Sequence, residues 1–366
     1  CTPPQDAPVD AVLAEVLGSI GGRVVRPALA EALVEAQRLD AATATLAQDP
    51  TDAALWTDAQ EAWRSTMTAW HRVELMQIGP IAPSSSARGG ADGRDNVYSW
   101  PTTNPCRVDQ ETVIADFDTT ACADGALVHA KRLDALAYLL WAGPDNACPS
   151  QIDINANGTW DALSDEGVLA NRAQYAAALS ALLVQTLTDL DADWLAFEDE
   201  LKAAGQADTT FPSGGSALNA IYDAMFYLET RTKDVKLAHP TGLRDCDADT
   251  CADDVEHGLS GLSTQAIQEN LAGFSAMLSG NGGKGFNDVL IDRGHGDLAE
   301  ALTAGIADAQ ANADALRAPL DEIIRDDVAI AVALHDDVKV VTDLLKGDVA
   351  TVLSVSLPSE AAGDND

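Results

Sequence analysis

His71 and Glu74 stand three residues apart in TAWHRVELMQIGP, at the end of a segment whose tryptophans recur every seven residues at Trp56, Trp63 and Trp70. An imidazole and a carboxylate at this spacing share one face of a helix. Such a pair can hold a metal ion, pass a proton or orient a polar ligand. At about 100° per residue, Trp63 lies roughly 20° and Trp70 roughly 40° from Trp56, while Glu74 returns to roughly 0°. His71 sits at the edge of that stripe, about 60° off. A carboxylate in the middle of an apolar stripe needs a cation, strong hydrogen bonds or water, because burying it alone is costly. Glu74 is therefore either solvated or paired at the open end of a bundle, or part of a pocket. His-x-x-Glu lacks the second histidine of His-Glu-x-x-His and does not complete a zinc site by itself.

A second acid occupies a similar position. In ALVHAKRLDALAYLLWAG, Leu127, Asp134 and Trp141 are spaced by seven, so Asp134 shares an apolar stripe on a helix that is apolar nearly all round. Lys131, Arg132 or Arg172 could supply its counter-charge. Two loops carry acids at calcium-like spacing. In DCDADTCADDVE, residues 245–256, Asp245, Asp247, Asp249, Asp253 and Glu256 follow the ligand rhythm of an EF-hand, but Thr250 stands where the sharp turn wants glycine. DINANGTWDALS begins the same rhythm and ends on Ser164 instead of glutamate. Solvated acidic turns are the default for both, and calcium is the lesser expectation. The chain has no Gly-x-Ser-x-Gly elbow, P-loop or dinucleotide fingerprint, and no Cys-x-x-Cys-His for covalent haem.

The elements that must position these residues read as helix after helix. Residues 9–49 form a helical stretch with a break at Pro27, 52–78 the tryptophan helix ended by Gly79 and Pro80, 126–141 the Asp134 helix, and 164–204 a long helix. Beyond the turn-rich 204–216, helices are expected up to Pro240, from the serine cap of STQAIQENLAGF, and near 296–313 and 316–346. The loop between the tryptophan and Asp134 helices carries Tyr98 and Trp100, and loop aromatics cover a core or line a site. The expected fold is all-α, two helical-bundle halves with a cleft between them. Residues 9–205 make the N-terminal bundle and 212–357 the C-terminal one, flanked by a tether at 1–8 and a disordered acidic tail at 358–366.

Composition narrows the partners. Fifty-eight acidic against twenty-two basic residues give a net charge of −36, which repels phosphate backbones and anionic surfaces and argues against nucleic acid. Apolar residues make up 46% of the chain and aromatics 5%, a balance suited to packed helices. No apolar run approaches the roughly 20 residues of a membrane span. Cys1, followed by the polar TPPQDAPVD, is the expected product of lipoprotein signal-peptide cleavage. Membrane contact would then be by the lipid on Cys1 alone, facing the periplasm and, with Thr2 in place of aspartate, on the outer membrane. Cys246 and Cys251 could close a small loop, and two of Cys106, Cys122 and Cys148 could form a second disulfide.

TAWHRVELMQIGP, NVYSWPTTNPCRVD, KRLDALAYLLWAG, GTWDALSDEGVLANRAQYAAAL, KDVKLAHPTGL and VEHGLSGLSTQAIQENLAGF occur in an order that resembles imelysin-like proteins over about residues 50–290. The resemblance implies an exported, often lipid-anchored bacterial protein of two bundle-like halves, in a family classed with metallopeptidases and linked in several members to iron acquisition. It also points to Lys236 in KLAHP and to Glu256, Ser260 and Ser263 in VEHGLSGLS as ligand-holding groups. The signature of many members, Gly-x-His-x-x-Glu before an apolar stretch, is altered here. Arg132 replaces the glycine, Asp134 the histidine and Ala137 the glutamate. Alanine can neither bind a metal nor activate water, so binding is the stronger expectation than peptidase catalysis. The expected function is capture of iron, another divalent metal, a metal complex or a small polar ligand, in partnership with an envelope protein of an uptake system. Glu74, Trp100, Asp134, Lys236, Glu256, Ser260 and Ser263 are the ligand-binding candidates, and His71, Glu74 and Asp134 the metal candidates. A metal-dependent peptidase and a non-catalytic interaction scaffold are the alternatives.

Overall fold

Residues 9–117 and 130–358 are described by the computed structural model, and the all-α expectation holds: no strand occurs among them. Cys1, the 1–8 tether, Cys122, Leu127, the start of the 126–141 helix and residues 359–366 of the tail lie outside the described residues. No described helix is long and apolar enough to cross a membrane. The chain divides into two compact units. One comprises 1–29, 70–93 and 190–366, and the other 30–69 and 94–189.

Pro27 does not break the first helical stretch. A π-helical turn, Ile20–Val25, joins Ala11–Ser19 to Arg26–Gln48, and Pro27 is the second residue of the latter. The wider turn lies just ahead of the ring and accommodates its missing N–H. The tryptophan helix runs Ala53–Val73, shorter than the expected 52–78. Its last helical bond is Glu74 N–H to Trp70 O at 2.9 Å, after which tight turns take over. Where the chain leaves the helix, Leu75, Met76 and Ile78 are all buried. Trp63, Met67 and Trp70 are fully buried, as the seven-residue rhythm predicts.

In the unit containing residues 94–189, Trp63 donates its indole N–H to Leu133 O at 2.8 Å and meets Trp141 edge-on. Asp165–Lys202 forms the long helix close to its expected bounds. Ile154, Trp160 and Val168 make a small core there, with Val113, Cys148, Ile152 and Leu163 packed on it. The Cys106–Cys148 disulfide ties this region, and Cys246–Cys251 closes the acidic loop of the other unit. The first is one of the pairings left open by the sequence; the second is the expected small loop.

In the unit containing residues 190–366, a capping box at Ser213 and Ser216 starts Gly214–Met225, and a π-helix, Leu228–Ala238, follows. The helices Ser263–Ser279, Gly296–Ala315 and Leu320–Leu344 complete its main packing. The serine cap expected for the first of these is absent: Leu262 is the N-cap, and Ser263 Oγ instead accepts the N–H of Leu320 at 2.8 Å. The hydroxyl therefore serves the start of a different helix, where an orphan backbone donor needs it.

Candidate functional site

A cluster of buried ionisable groups forms within the first unit, from three separate stretches of chain. The end of Ala53–Val73 supplies His71, and the turn after it supplies Glu74. The π-helix supplies Lys236, the turn before Ser263–Ser279 supplies Glu256 and His257, and that helix supplies Asn270. Gly273 allows the last approach. A Cβ there would lie 2.6 Å from Arg72 O, so only glycine lets this helix sit against the backbone beside His71. One turn earlier, Asn270 Nδ2 donates to His71 O at 2.7 Å and to Glu74 Oε1 at 2.8 Å. Its own Oδ1 accepts from Thr232 at 3.1 Å, which fixes the orientation of the amide.

Glu74 Oε1 is the hub. It takes Lys236 Nζ, Asn270 Nδ2 and, at 2.7 Å, the Nδ1 of His71. An ionised carboxylate only accepts hydrogen bonds, so His71 donates from Nδ1 to Glu74 and turns its other ring nitrogen, Nε2, away from it. That nitrogen faces His257 Nε2 at 2.7 Å. Lys236 reaches Glu256 Oε2 at 3.0 Å, while Glu256 Oε1 lies 3.9 Å from His257 Nε2. The imidazole of His257 is only 4% exposed. Its backbone sits in the left-handed region at φ 62°, uncommon for a side-chain-bearing residue.

Burial governs the protonation of this cluster, and the charges modify it. Burial alone would lower the ammonium of Lys236, but Glu256 and Glu74 beside it hold it above its ordinary value. Burial would raise Glu256, but Lys236 and the two histidines hold it below the usual carboxylate range. Burial pushes His257 down to about 3 against the pull of Glu256, so its imidazole is neutral at physiological pH. The cluster thus presents the neutral imidazole of His257, the ionised carboxylate of Glu256 and the ammonium of Lys236.

The structure therefore brings together His71, Glu74, Lys236 and Glu256. It places Ser260 on the same turn, its hydroxyl against His257 O at 3.4 Å, and Ser263 on Leu320 N–H. Asp134 and Trp100 belong to the other unit. There Asp134 is buried, taking hydrogen bonds from Ser99 Oγ at 3.1 Å, from Thr103 Oγ1 and from the N–H of Ala135. Burial raises its carboxyl above the ordinary range. Two of the cations suggested for it are engaged elsewhere: Arg172 pairs with Asp109 at 2.8 Å, and Arg132 donates to Asn96. Arg172 is further held over the rings of Tyr138 and Trp160. Hydroxyl dipoles take the place of the expected salt bridge. Trp100 precedes a cis peptide bond to Pro101.

Three acids of the 245–256 loop go to separate partners. Asp253 meets Arg325 at 2.6 Å, Asp254 meets His239 at 3.1 Å, and Glu256 turns inward to Lys236. Among the described residues, two groups bring potential metal ligands together: His71, Glu256 and His257, and His239, Cys251 and Asp254. The second spends its sulfur on the disulfide to Cys246.

His257 and Asn270 are the cluster members that sequence reasoning missed. His257 adjoins Glu256 in a turn, where no periodicity tells which way a side chain faces. Asn270 was detectable, because it shares a helical face with Ile267, Leu271 and Phe274, all buried. A polar residue on such a stripe needs a partner.

The Imelysin family model matches residues 25–344. An imelysin-like protein from Psychrobacter arcticus 273-4 is similar in structure with a TM-score of 0.73 and 18% sequence identity, covering 96% of this chain and 99% of that one. A "putative iron-regulated protein A precursor" from Parabacteroides distasonis ATCC 8503 gives a TM-score of 0.70 at 13% identity, covering 93% and 95% of the two chains. No curated protein matches the chain.

Proposed function

The chain belongs to the imelysin family, and on that premise we propose that it is a cell-envelope binding protein that captures a metal ion, or a polar ligand carrying one, for uptake. The observation that carries this reading is the buried cluster around His71, in which two carboxylates share one ammonium and two imidazoles meet beside them. A purely structural ion pair needs only the lysine and an acid. Two imidazole nitrogens turned toward one another add ligand atoms, not charge balance. The "iron-regulated" neighbour supports iron as the first metal to test.

Binding is favoured over peptide hydrolysis on chemical grounds. A general base must be able to accept a proton from water. Glu74 Oε1 already takes three donors, Glu256 is held by Lys236, and Ala137 stands where the altered signature would place a carboxylate. Dialysis of the purified chain followed by elemental analysis and titration with iron(II), zinc(II) and calcium tests the reading. Retention or uptake of about one transition-metal ion per chain is expected; a chain that takes up none of these ions overturns it.

A further inference from the structure

We infer that His71 Nε2, His257 Nε2 and the Glu256 carboxylate together form a site for a single divalent transition-metal ion, with Glu74, Asn270 and Lys236 positioning those ligands without joining them. This rests on the metal-binding reading above and specifies its atoms.

The assignment follows from how the donor atoms are arranged. His71 Nδ1 is held by Glu74 Oε1 at 2.7 Å, and its backbone carbonyl by Asn270 at 2.7 Å, which fixes the direction in which the ring turns Nε2 toward His257. Carboxylate-bound imidazole is the recurrent outer arrangement of metal-ligating histidines. Lys236 does the same for Glu256: the ammonium takes Oε2 at 3.0 Å, and Oε1 is the oxygen nearer His257, at 3.9 Å. The three ligand atoms lie within 4.8 Å of one another. Metal–imidazole bonds are about 2.0–2.1 Å for zinc, so two nitrogens bound to one ion stand about 3 Å apart. The rings, now at 2.7 Å, would need to part by only a few tenths of an ångström.

The donor set selects the ion. Calcium and magnesium take six or more oxygens, whereas imidazole suits zinc, copper, iron and nickel. Two imidazoles and one carboxylate leave further coordination positions to water or to a small chelating ligand.

Lys236 and Glu74 also separate this site from the one expected from sequence. Glu74 holds His71 from behind, and Asp134 lies among hydroxyls in the other unit, outside the ligand set.

The test uses the full chain stripped with chelator and loaded with copper(II). Pulsed electron paramagnetic resonance counts the imidazoles bound to copper in the unaltered protein, where two are expected; none or one overturns the assignment. Cobalt(II) titrations then compare variants. His71→Ala and His257→Ala are expected to weaken binding at least 100-fold, and Glu74→Gln by about 10- to 100-fold, the range for a positioning partner. Asp134→Asn should leave cobalt affinity within twofold. Binding by the unaltered chain that survives both histidine substitutions sinks this ligand set but leaves the functional proposal standing. A chain that binds neither copper, cobalt, zinc nor iron sinks both.

Discussion

Asp134 and Glu256 are both buried acids, and burial pushes both carboxyls toward holding a proton, yet the two end on opposite sides of the ordinary range. Asp134 is surrounded by hydroxyl and amide dipoles from Ser99, Thr103 and Ala135, which do not outweigh the cost of desolvation. Glu256 has the ammonium of Lys236 at 3.0 Å with His257 and His71 beyond it, and these do. The lesson is that a buried carboxylate stays ionised where a full charge answers it, and dipoles alone are weaker. It also explains why Glu256, beside the lysine, is held ionised while the carboxyl of Asp134 is pushed above its ordinary value.

Removing Lys236 breaks this comparison most severely. Lys236→Met would leave Glu74 and Glu256 buried without their ammonium, a loss of about 3–5 kcal/mol for a broken buried pair. Urea unfolding of the stripped protein measures it. A loss below about 1 kcal/mol would mean that the glutamates are answered by something other than Lys236.

The next effect tests the backbone that assembles the cluster. In Gly273→Ala, the new methyl would meet Arg72 O at 2.6 Å, and a main-chain carbonyl cannot swing aside as a side chain can. The expected cost is about 1–3 kcal/mol of stability, as for overpacking, again read by urea unfolding. Metal affinity should fall with it, because the same helix carries Asn270 to Glu74 and His71. Unchanged stability would show that the helix can shift as a body and that its close approach is not what seats the cluster.

Much of this arrangement was legible in the sequence because helices are periodic. The tryptophan rhythm put Glu74 on a buried face, and Glu74 is buried. The same reasoning put Asp134 on its stripe, and it too is buried. What periodicity could not give was the identity of their partners, which come from distant parts of the chain. His257 is 186 positions from His71, in a turn with left-handed backbone. Arg172 was one of three basic residues that could have answered Asp134, but Asp109, reached from Pro105–Ile114, takes it. The helix end at Val73 instead of Gly79 was missed for a related reason. Gly79 and Pro80 are strong local stop signals, whereas the earlier stop reflects burial of Leu75, Met76 and Ile78 in tertiary structure.

Asp134→Asn sharpens the dipole side of the comparison. The folded-state carboxyl is raised above its unfolded value, so the stability it contributes is fully present below the unfolded value and fades as pH rises through the folded one. Asparagine keeps the shape, never ionises, and can still bond with Ser99 and Thr103 once their hydroxyls turn. The variant is expected to melt higher than the unaltered chain at neutral and alkaline pH, with the gap closing as pH falls toward the ordinary carboxylate range. Melting curves from pH 4 to 9 decide it; a variant that is less stable at high pH would show that Asp134 works as an anion after all.

The smallest effect concerns the neighbouring residue. Arg132 has φ 85°, a backbone conformation that glycine adopts freely and that costs other residues about 1–3 kcal/mol. That backbone is the one that the glycine expected there from the family resemblance would adopt without cost. Arg132→Gly relieves that strain but loosens the unfolded chain, which returns about 0.5–1 kcal/mol. It also loses the exposed hydrogen bond to Asn96. The expected net gain is about 1 kcal/mol. Arg132→Ala loses the same side chain while keeping the strained backbone, so the difference between the two variants isolates the conformation. If alanine proves as stable as glycine, positive φ carries no cost at this helix start.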